Sequence, residues 1–213
     1  MNVKVTLVDY GIGNIFSVRR AMESIGADVV QTDVAADILA SDRLILPGVG
    51  AFADCIEGLS ERGLIEPLLE YATTGRPLMG ICVGMQMLAT SSEEFGEHAG
   101  LGLIPGRVIS LPSEDHDGNK LKIPHTGWTA LLKPNSVTWE RSPLCETKEG
   151  ESVYVVHSFA MKPNALEHRI AECEYGGHRI CAAVQRGNIF GCQFHPEKSG
   201  PVGLRILARF MAI

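Results

Sequence analysis

Residues 77–89 read PLMGICVGMQMLA, an apolar run that passes through a glycine-flanked cysteine into a helical pattern. Residues Pro77 to Ile81 predict a short buried strand, and the apolar spacing from Val83 to Ala89 predicts a helix. Small flanking residues let a chain bend sharply and lift a reactive atom above a sheet edge, as in a nucleophile elbow. A buried packing role is the alternative for a cysteine among apolar residues. The two glycines favour Cys82 as a nucleophile.

A second motif near the other end of the chain supplies a base and an acid. Residues Ile189 to Phe194 predict a strand, and His195 and Glu197 follow it. If the chain stays extended there, side chains two residues apart share a face, so the two would point the same way. A histidine beside a thiol favours the reactive thiolate, and a carboxylate orients the histidine. We therefore predict a triad of Cys82, His195 and Glu197, although a lone histidine after a strand more often has a structural role.

Strands and helices alternate in the first half of the chain. The predicted strands are Val3 to Val8, Asp28 to Thr32, Arg43 to Leu46 and Pro77 to Ile81. The predicted helices are Ile15 to Ile25, with Asn14 as N-cap and Gly26 as the stop, and Leu64 to Ala72. This alternation predicts an α/β fold with a mostly parallel sheet flanked by helices. Ligands bind at the carboxyl ends of such strands, where Asp9, Pro47 and Cys82 would converge.

The second half predicts an added antiparallel β portion within the same domain, which spans residues 1–213. Its predicted strands are Arg107 to Leu111, Val153 to Phe159, His168 to Glu174, Ile180 to Gln185 and Ile189 to Gln193. The last predicted element is an amphipathic helix from Val202 to Met211, with Pro201 near its first turn. The polar segment from Ser113 to Asn119 clusters aspartates with a histidine. We interpret it as a mobile, solvated turn in preference to a metal site.

Composition limits the possible functions. The net charge of −6 and the pI near 5.6 argue against a nucleic-acid-binding surface. We find no signal-peptide pattern and no apolar stretch long enough to span a membrane. The six cysteines lack C-x-x-C spacing, and all except Cys82 are interpreted as reduced packing residues. We therefore expect a cytoplasmic protein without a metal or other cofactor.

Six segments carry a resemblance to a known family: Asp9 to Asn14, Pro47 to Phe52, Gly80 to Gln86, Pro124 to Trp128, Val156 to Phe159, and Phe194 to Ser199. Over nearly its whole length the chain resembles the class I, or triad, glutamine amidotransferases. Within them it is similar to the glutaminase subunits of imidazole glycerol phosphate synthase. Thr129 departs from the pattern, because asparagine often follows the Gly-Trp pair in that family.

The resemblance implies hydrolysis of L-glutamine to glutamate and ammonia through a thioester on Cys82. Backbone N–H groups would stabilise the oxyanion. The N–H of Val83 is one candidate and the other lies in Val49 and Gly50, where glycines permit unusual dihedral angles. The resemblance also implies that four residues bind the substrate: Gln86, Glu94, Ser158 and Phe159. Glu93 is the alternative to Glu94.

The resemblance further implies a separate cyclase subunit that receives the ammonia in histidine biosynthesis and forms a heterodimer with this chain. Because such an enzyme would waste ammonia when alone, we expect its activity to rise on binding the partner. Candidate docking residues are Asn14, His125, Trp128 and Lys198, with packing inside the domain as the alternative for Trp128. Three other functions remain open: an amidotransferase of another pathway, a catalytically silent binding subunit, and a cysteine peptidase.

Overall fold

The computed structural model describes residues 4–135 and 137–213, so Val3 of the first predicted strand lies outside the described residues. The helices α1 to α6 are Ile15–Ser24, Ala35–Ala40, Phe52–Glu61, Ile65–Thr73, Val83–Met87 and Gly200–Met211. The strands β1 to β13 are Lys4–Val8, Asp28–Thr32, Leu44–Gly48, Leu78–Cys82, Ser91–Ser92, His98–Ala99, Gly106–Ser110, His125–Ala130, Ser152–His157, Phe159–Pro163, Arg169–Tyr175, His178–Arg186 and Ile189–Cys192. Short 3₁₀ turns lie at Leu166–His168 and Pro196–Lys198.

A seven-stranded sheet forms the centre of the molecule, with the order β11-β12-β13-β4-β3-β1-β2. The strands from β13 to β2 are parallel to one another, and β12 pairs antiparallel with both β11 and β13. Strands β3 and β4 are buried along their whole length, as expected for the middle of a parallel sheet covered by helices. The predicted α/β fold with an added antiparallel portion is confirmed.

Two smaller sheets build the wall beside the carboxyl ends of the parallel strands. One has the order β10-β7-β5-β6, and the other is the antiparallel pair β8-β9. The predicted strand from Val153 to Phe159 is divided between them: β9 ends at His157, and β10 begins at Phe159 after Ser158. This break directs the chain from one small sheet into the other. None of the helices in the described part of the chain has the length and apolar character needed to span a bilayer.

Helix α3 was not predicted, and its N-terminus explains why. Ala51 precedes the helix and provides no side-chain cap. The N–H of Phe52 instead donates to Oε2 of Glu94, 42 residues further along the chain, at 2.7 Å. A helix start that depends on a distant carboxylate leaves no local signal of the kind that N-cap residues give. Helix α2, the strands β5, β6 and β8, and residues 160–163 of β10 were also missed.

Asn14 is the N-cap residue of α1, as predicted, but its side chain makes no capping hydrogen bond, because its amide donates to Glu197. The segment from Ser113 to Asn119 is a largely exposed turn, as predicted, in which Asp115 accepts hydrogen bonds from the backbone N–H groups of Asp117 and Asn119. An imidazole nitrogen of His178 also lies 2.8 Å from the carbonyl oxygen of Glu114. The bond from His178 ties the segment to the first residue of β12, and the N–H of His116 donates to the carbonyl oxygen of Gly176 in the preceding turn.

Candidate active site

Cys82 lies at the junction of β4 and α5 in a backbone conformation that few residues other than glycine adopt, with φ 55° and ψ −113°. The flanking glycines make this turn possible. A Cβ on Gly80 would lie 2.5 Å from the carbonyl oxygen of Gly84, and one on Gly84 would overlap the carbonyl oxygen of Leu46. Side chains at these positions would push the elbow out of the sheet. The sharp strand-to-helix turn at Cys82 is therefore built as the sequence predicted.

His195 and Glu197 are paired, with 2.9 Å between Nδ1 of the histidine and Oε1 of the glutamate. The reason differs from the one predicted, because the chain does not stay extended. It enters the 3₁₀ turn Pro196–Lys198, and the carboxylate folds back toward the imidazole. The side chain of Glu197 is completely buried, and Nδ2 of Asn14 donates to its Oε1 at 3.3 Å. Asn14 thus contacts the acid of the predicted triad.

The environment of His195 favours its charged form. Burial alone would lower the pKa of this imidazole, but hydrogen bonds to Cys82 and Glu197 and the negative charges of both groups raise it to about 9. The group can therefore hold a proton at neutral pH when Cys82 is a thiolate. A thiolate next to an imidazolium, oriented by a buried carboxylate, is suited to nucleophilic attack followed by protonation of a leaving group.

A cavity of about 300 Å³ opens above Cys82. It brings together the predicted nucleophile, its base, the predicted oxyanion donors and the predicted substrate contacts. Its lining residues are Val49, Gly50, Cys82, Val83, Gln86, Glu94, Pro124, Val156, His157, Ser158, Phe159, His195 and Lys198. Chain segments from both halves of the sequence therefore meet at one site that can hold a molecule of amino-acid size.

Gln86 is held rigidly in the wall of this cavity. Its Nε2 donates to the carbonyl oxygen of Phe159 at 3.0 Å and to Oε1 of Gln193 at 2.9 Å. Nε2 of Gln193 lies 3.7 Å from Sγ of Cys82. With its nitrogen engaged, the oxygen of the Gln86 amide is the group left to contact a ligand. Gln193 was missed because a glutamine two residues before a histidine forms no motif that indicates a role in a site.

The neighbouring glutamates have separate roles. Glu94 is only 9% exposed, lines the cavity and accepts the N–H of Phe52. Glu93 instead accepts hydrogen bonds from the backbone and hydroxyl of Ser110, away from the cavity lining. Of the two glutamates, Glu94 is the one that lines the cavity. Its carboxylate also joins the cavity to the start of α3.

His157 is a cavity residue that the sequence did not single out. Its Nδ1 lies 2.9 Å from the carbonyl oxygen of Phe159, so Nδ1 carries the proton. Burial lowers its pKa to about 4, and the imidazole is neutral at physiological pH. It therefore packs as a neutral donor that fixes Phe159. Only its position two residues after Val155, on the apolar face of a half-buried strand, could have indicated that it faces inward.

The four predicted docking residues differ in exposure. Trp128 is 60% exposed, which excludes the alternative of an indole packed inside the domain, and Lys198 is also exposed. His125 is buried and stacks on Tyr175 with 4.1 Å between ring centroids. Its side chain is buried in the isolated chain, and its docking role stays a prediction. Asn14 is half-buried against Glu197.

Among residues 4–135 and 137–213, no group of three or more His, Cys, Asp or Glu side chains could hold a metal ion. The six cysteines are free thiols.

Comparisons with known proteins agree with this geometry. The family model of class I glutamine amidotransferases matches residues 6–213. The HisH 1 subunit of imidazole glycerol phosphate synthase from Legionella pneumophila strain Lens is 46% identical over 210 residues, covering 98% of this chain and 99% of the relative. The HisH subunit from Syntrophotalea carbinolica is 45% identical, covering 97% of this chain and 98% of the relative.

Solved structures support the fold. PurLQS from Thermotoga maritima aligns with a TM-score of 0.72 at 21% identity, covering all of this chain and 99% of the other. A glutamine amidotransferase from Thermotoga maritima aligns with a TM-score of 0.61 at 17% identity, covering 96% of this chain and 80% of the other. The family match over nearly the whole chain and the HisH relatives lead to one conclusion: the chain belongs to the class I glutamine amidotransferases and, within them, to the HisH subunits of imidazole glycerol phosphate synthase.

Proposed function

We propose that the chain is the glutaminase subunit of an imidazole glycerol phosphate synthase, and that it hydrolyses L-glutamine and delivers the ammonia to a separate cyclase subunit. The observation that carries the proposal is the cavity in which Cys82, His195 and Gln86 converge. The buried carboxylate of Glu197 lies against the imidazole of His195 and orients it. The identity to HisH subunits over nearly the whole chain assigns the pathway of histidine biosynthesis.

The reaction begins when the thiolate of Cys82 attacks the carboxamide carbon of glutamine. The carbonyl oxygen becomes an oxyanion, which the N–H groups of Val83 and of the Val49 to Gly50 segment stabilise. The tetrahedral intermediate collapses, the C–N bond breaks, and His195 gives its proton to the departing nitrogen. Ammonia leaves and a thioester remains on Cys82. The now neutral His195 takes a proton from water, which attacks the thioester and releases glutamate.

The substrate contacts follow from the groups that face the cavity. The carboxylate of Glu94 offers a negative charge to the α-ammonium group. Gln86 and the backbone of Ser158 and Phe159 offer hydrogen bonds to the remaining polar atoms. These contacts suit a free amino acid, and a cavity of about 300 Å³ is too small for an extended peptide.

The pKa of His195 gives the reaction a defined pH dependence. Because the imidazolium is the acid, kcat/KM for glutamine hydrolysis should fall as the pH rises through about 9. Glu197→Gln removes a negative charge that raises this pKa, so its alkaline limb should begin at lower pH. The measurement is glutamate release by both proteins between about pH 6 and pH 10. Superimposable alkaline limbs would contradict the role of Glu197.

The partner is proposed to dock on the exposed face of the β8-β9 sheet, beside the cavity. Thr126, Trp128, Tyr154 and Val156 share one face because β8 and β9 pair with Thr126 opposite Val156 and Trp128 opposite Tyr154. Val156 also lines the cavity, so this face continues to its mouth. A protein seated there would receive ammonia before it reaches bulk water, where it becomes ammonium.

Trp128→Ala should weaken the complex with the cyclase subunit by roughly 30-fold, the effect of losing about 2 kcal/mol at an interface hot spot. The free chain should unfold at nearly the same temperature, since truncating an exposed side chain usually changes stability by less than about 0.5 kcal/mol. Isothermal titration calorimetry measures the binding and thermal unfolding the stability. Leu166→Ala, at a side chain that is 72% exposed on the Leu166–His168 turn, is the matched control. Equal affinities for both variants would refute docking through Trp128.

The experiment that tests the proposed function is a comparison of the isolated chain with its complex. The chain is co-purified with the cyclase subunit from the same organism, and glutamate release is measured with and without that partner. We expect slow hydrolysis alone and faster hydrolysis in the complex. A stable complex that releases no glutamate would show that the chain is a binding subunit and not a glutaminase.

We also propose that residues 1–213 form a single domain and that the protein is located in the cytoplasm. The six free cysteines support the cytoplasmic location.

A further inference from the structure

Gln193 contacts the sulfur of the predicted nucleophile. Cys192 pairs with Ile81 in the parallel ladder of β13 and β4, so the next residue along each strand, Gln193 and Cys82, lie side by side. Nε2 of Gln193 is 3.7 Å from Sγ of Cys82, within the range of a hydrogen bond to sulfur. Gln193 is also only 1% exposed. The amide therefore meets the atom that forms the thioester at a point shielded from solvent.

A backbone carbonyl determines which end of the Gln193 amide faces the sulfur. The carbonyl oxygen of Phe159 can only accept, so the atom of Gln86 that lies 3.0 Å from it must be the nitrogen. That nitrogen donates its second N–H to Oε1 of Gln193 at 2.9 Å. With its oxygen engaged in this way, Gln193 presents its nitrogen to Cys82. The reverse orientation of Gln86 would place two carbonyl oxygens against each other.

Backbone contacts hold both ends of this chain of hydrogen bonds. The carbonyl oxygen of Phe159 also accepts from Nδ1 of His157 at 2.9 Å, and Phe159 pairs with Ser110 in the ladder of β10 and β7. The backbone N–H of Gln193 donates to the carbonyl oxygen of Ala182 on β12 at 2.9 Å. The side-chain N–H of Gln193 is therefore directed at the sulfur before the thiolate forms, and it needs no reorganisation when the charge appears.

We propose that Gln193 is a further catalytic residue, whose side-chain N–H stabilises the Cys82 thiolate. The inference rests on the proposed glutaminase function. An N–H group binds a charged acceptor more strongly than a neutral one, so this donor favours the thiolate over the thiol. It acts again when the thioester is hydrolysed and the sulfur leaves as a thiolate. Because the amide is uncharged, it does not repel the imidazolium of His195, as a second cation would.

The test uses Gln193→Met, which removes the amide and keeps a side chain of similar length. Gln185→Met is the matched control, because Gln185 lies on β12 and its Nε2 donates to the carbonyl oxygens of Arg141 and Gly187. The rate at which iodoacetamide alkylates Cys82 in the free chain is measured by mass spectrometry between about pH 4 and pH 10, since this reaction requires the thiolate but no glutamine. Glutamate release is measured in complex with the cyclase subunit.

In Gln193→Met, the rise of the alkylation rate with pH should move up by about one pH unit, because one hydrogen bond to a charged group favours the thiolate roughly tenfold. On the alkaline plateau, where the thiolate forms without this donor, the variant should react at least as fast as the wild type. The acid limb of kcat/KM for glutamine should move in the same direction. Gln185→Met should keep both profiles. Both variants retain the titratable groups that interact with Cys82 or its base, which are Tyr10, Cys55, Cys192, His195 and Glu197.

Three results would overturn the inference: an unshifted alkylation profile in Gln193→Met, an equal shift in Gln185→Met, or slower alkylation at every pH, which would indicate blocked access. An unshifted profile with a raised KM would mean that Gln193 acts only by holding Gln86. If Gln193→Met does not fold, the wild type decides. The nuclear magnetic resonance signal of the Gln193 side-chain N–H should then move downfield over the pH range in which alkylation rises, and a signal that stays in place refutes the role.

The same measurements separate this inference from the proposed function. A wild-type complex that releases no glutamate overturns the proposed function itself, whatever the alkylation profiles show. A wild-type complex that releases glutamate, together with an unshifted profile in Gln193→Met, overturns only the role of Gln193.

Discussion

Cys82→Ala is expected to lower glutamine-dependent turnover by about 10⁴-fold or more, because no other group in the site can form the thioester. The free cysteine nearest in the sheet, Cys192, is fully buried, and burial holds the pKa of its thiol well above the usual value. It cannot replace Cys82 as a nucleophile. The assay supplies the complex with cyclase substrate and glutamine and follows product formation.

The same variant should keep its activity when ammonium replaces glutamine. Ammonium dissociates to ammonia in solution and reaches the cyclase subunit without any step at Cys82. Cys145→Ala, at a half-buried thiol beside Arg209, is the control for general effects of removing a cysteine. His195→Ala should give a similar loss with glutamine, and the double variant should be little worse than either single one, since the two groups act as a unit. Substantial glutamine turnover by Cys82→Ala would refute the mechanism.

Gly84→Ala is expected to destabilise the protein more than any surface substitution, by about 3 kcal/mol or more. The added Cβ would overlap the carbonyl oxygen of Leu46 on the neighbouring strand β3, and neither atom can rotate away, because the Cβ is fixed to the backbone of α5 and the oxygen belongs to a buried strand. Relief requires α5 to move away from β3. For a chain of this size, 3 kcal/mol corresponds to a fall in Tm of roughly 6 to 12 °C.

Gly26→Ala separates this overlap from the ordinary cost of replacing a glycine. Gly26 has a φ of 84° but open space around its Cβ position. Its replacement should cost about 1 kcal/mol, from backbone strain alone. Thermal unfolding of both variants measures the difference, and equal shifts in Tm would contradict the packing argument. Any folded Gly84→Ala protein should also have lost glutaminase activity, since the displaced α5 carries Val83 and Gln86 away from Cys82.

The elbow was predictable because it is a local device. Gly80, Cys82 and Gly84 lie within five residues of one another, and their steric requirements appear directly in the spacing. The pairing of His195 with Glu197 was predicted correctly from an incorrect geometry, because a 3₁₀ turn brings the carboxylate to the imidazole as well as an extended strand would. Because His195 and Glu197 are only two residues apart, either backbone conformation brings their side chains together.

Features that depend on distant residues were not predictable. The start of α3 depends on Glu94, and the amide that appeared to cap α1 instead contacts Glu197, 183 residues away. Gln193 gained its role only through its contacts with Gln86 and Cys82. The burial of His125 depends on Tyr175, which lies on β11. In each case the tertiary partner decides the outcome, and one sequence does not reveal which partner that will be.

The place of β13 in the central sheet has a consequence for how the protein folds during synthesis. Strand β13 is inserted between β4 and β12, although it follows β4 by more than a hundred residues. Until it emerges from the ribosome, the apolar strand that carries Cys82 has an unpaired edge. Long-range pairings of this kind form slowly and leave exposed edges prone to aggregation. Nascent chains that end before Ile189 should therefore depend on chaperones, and none of them can hydrolyse glutamine, because they also lack His195.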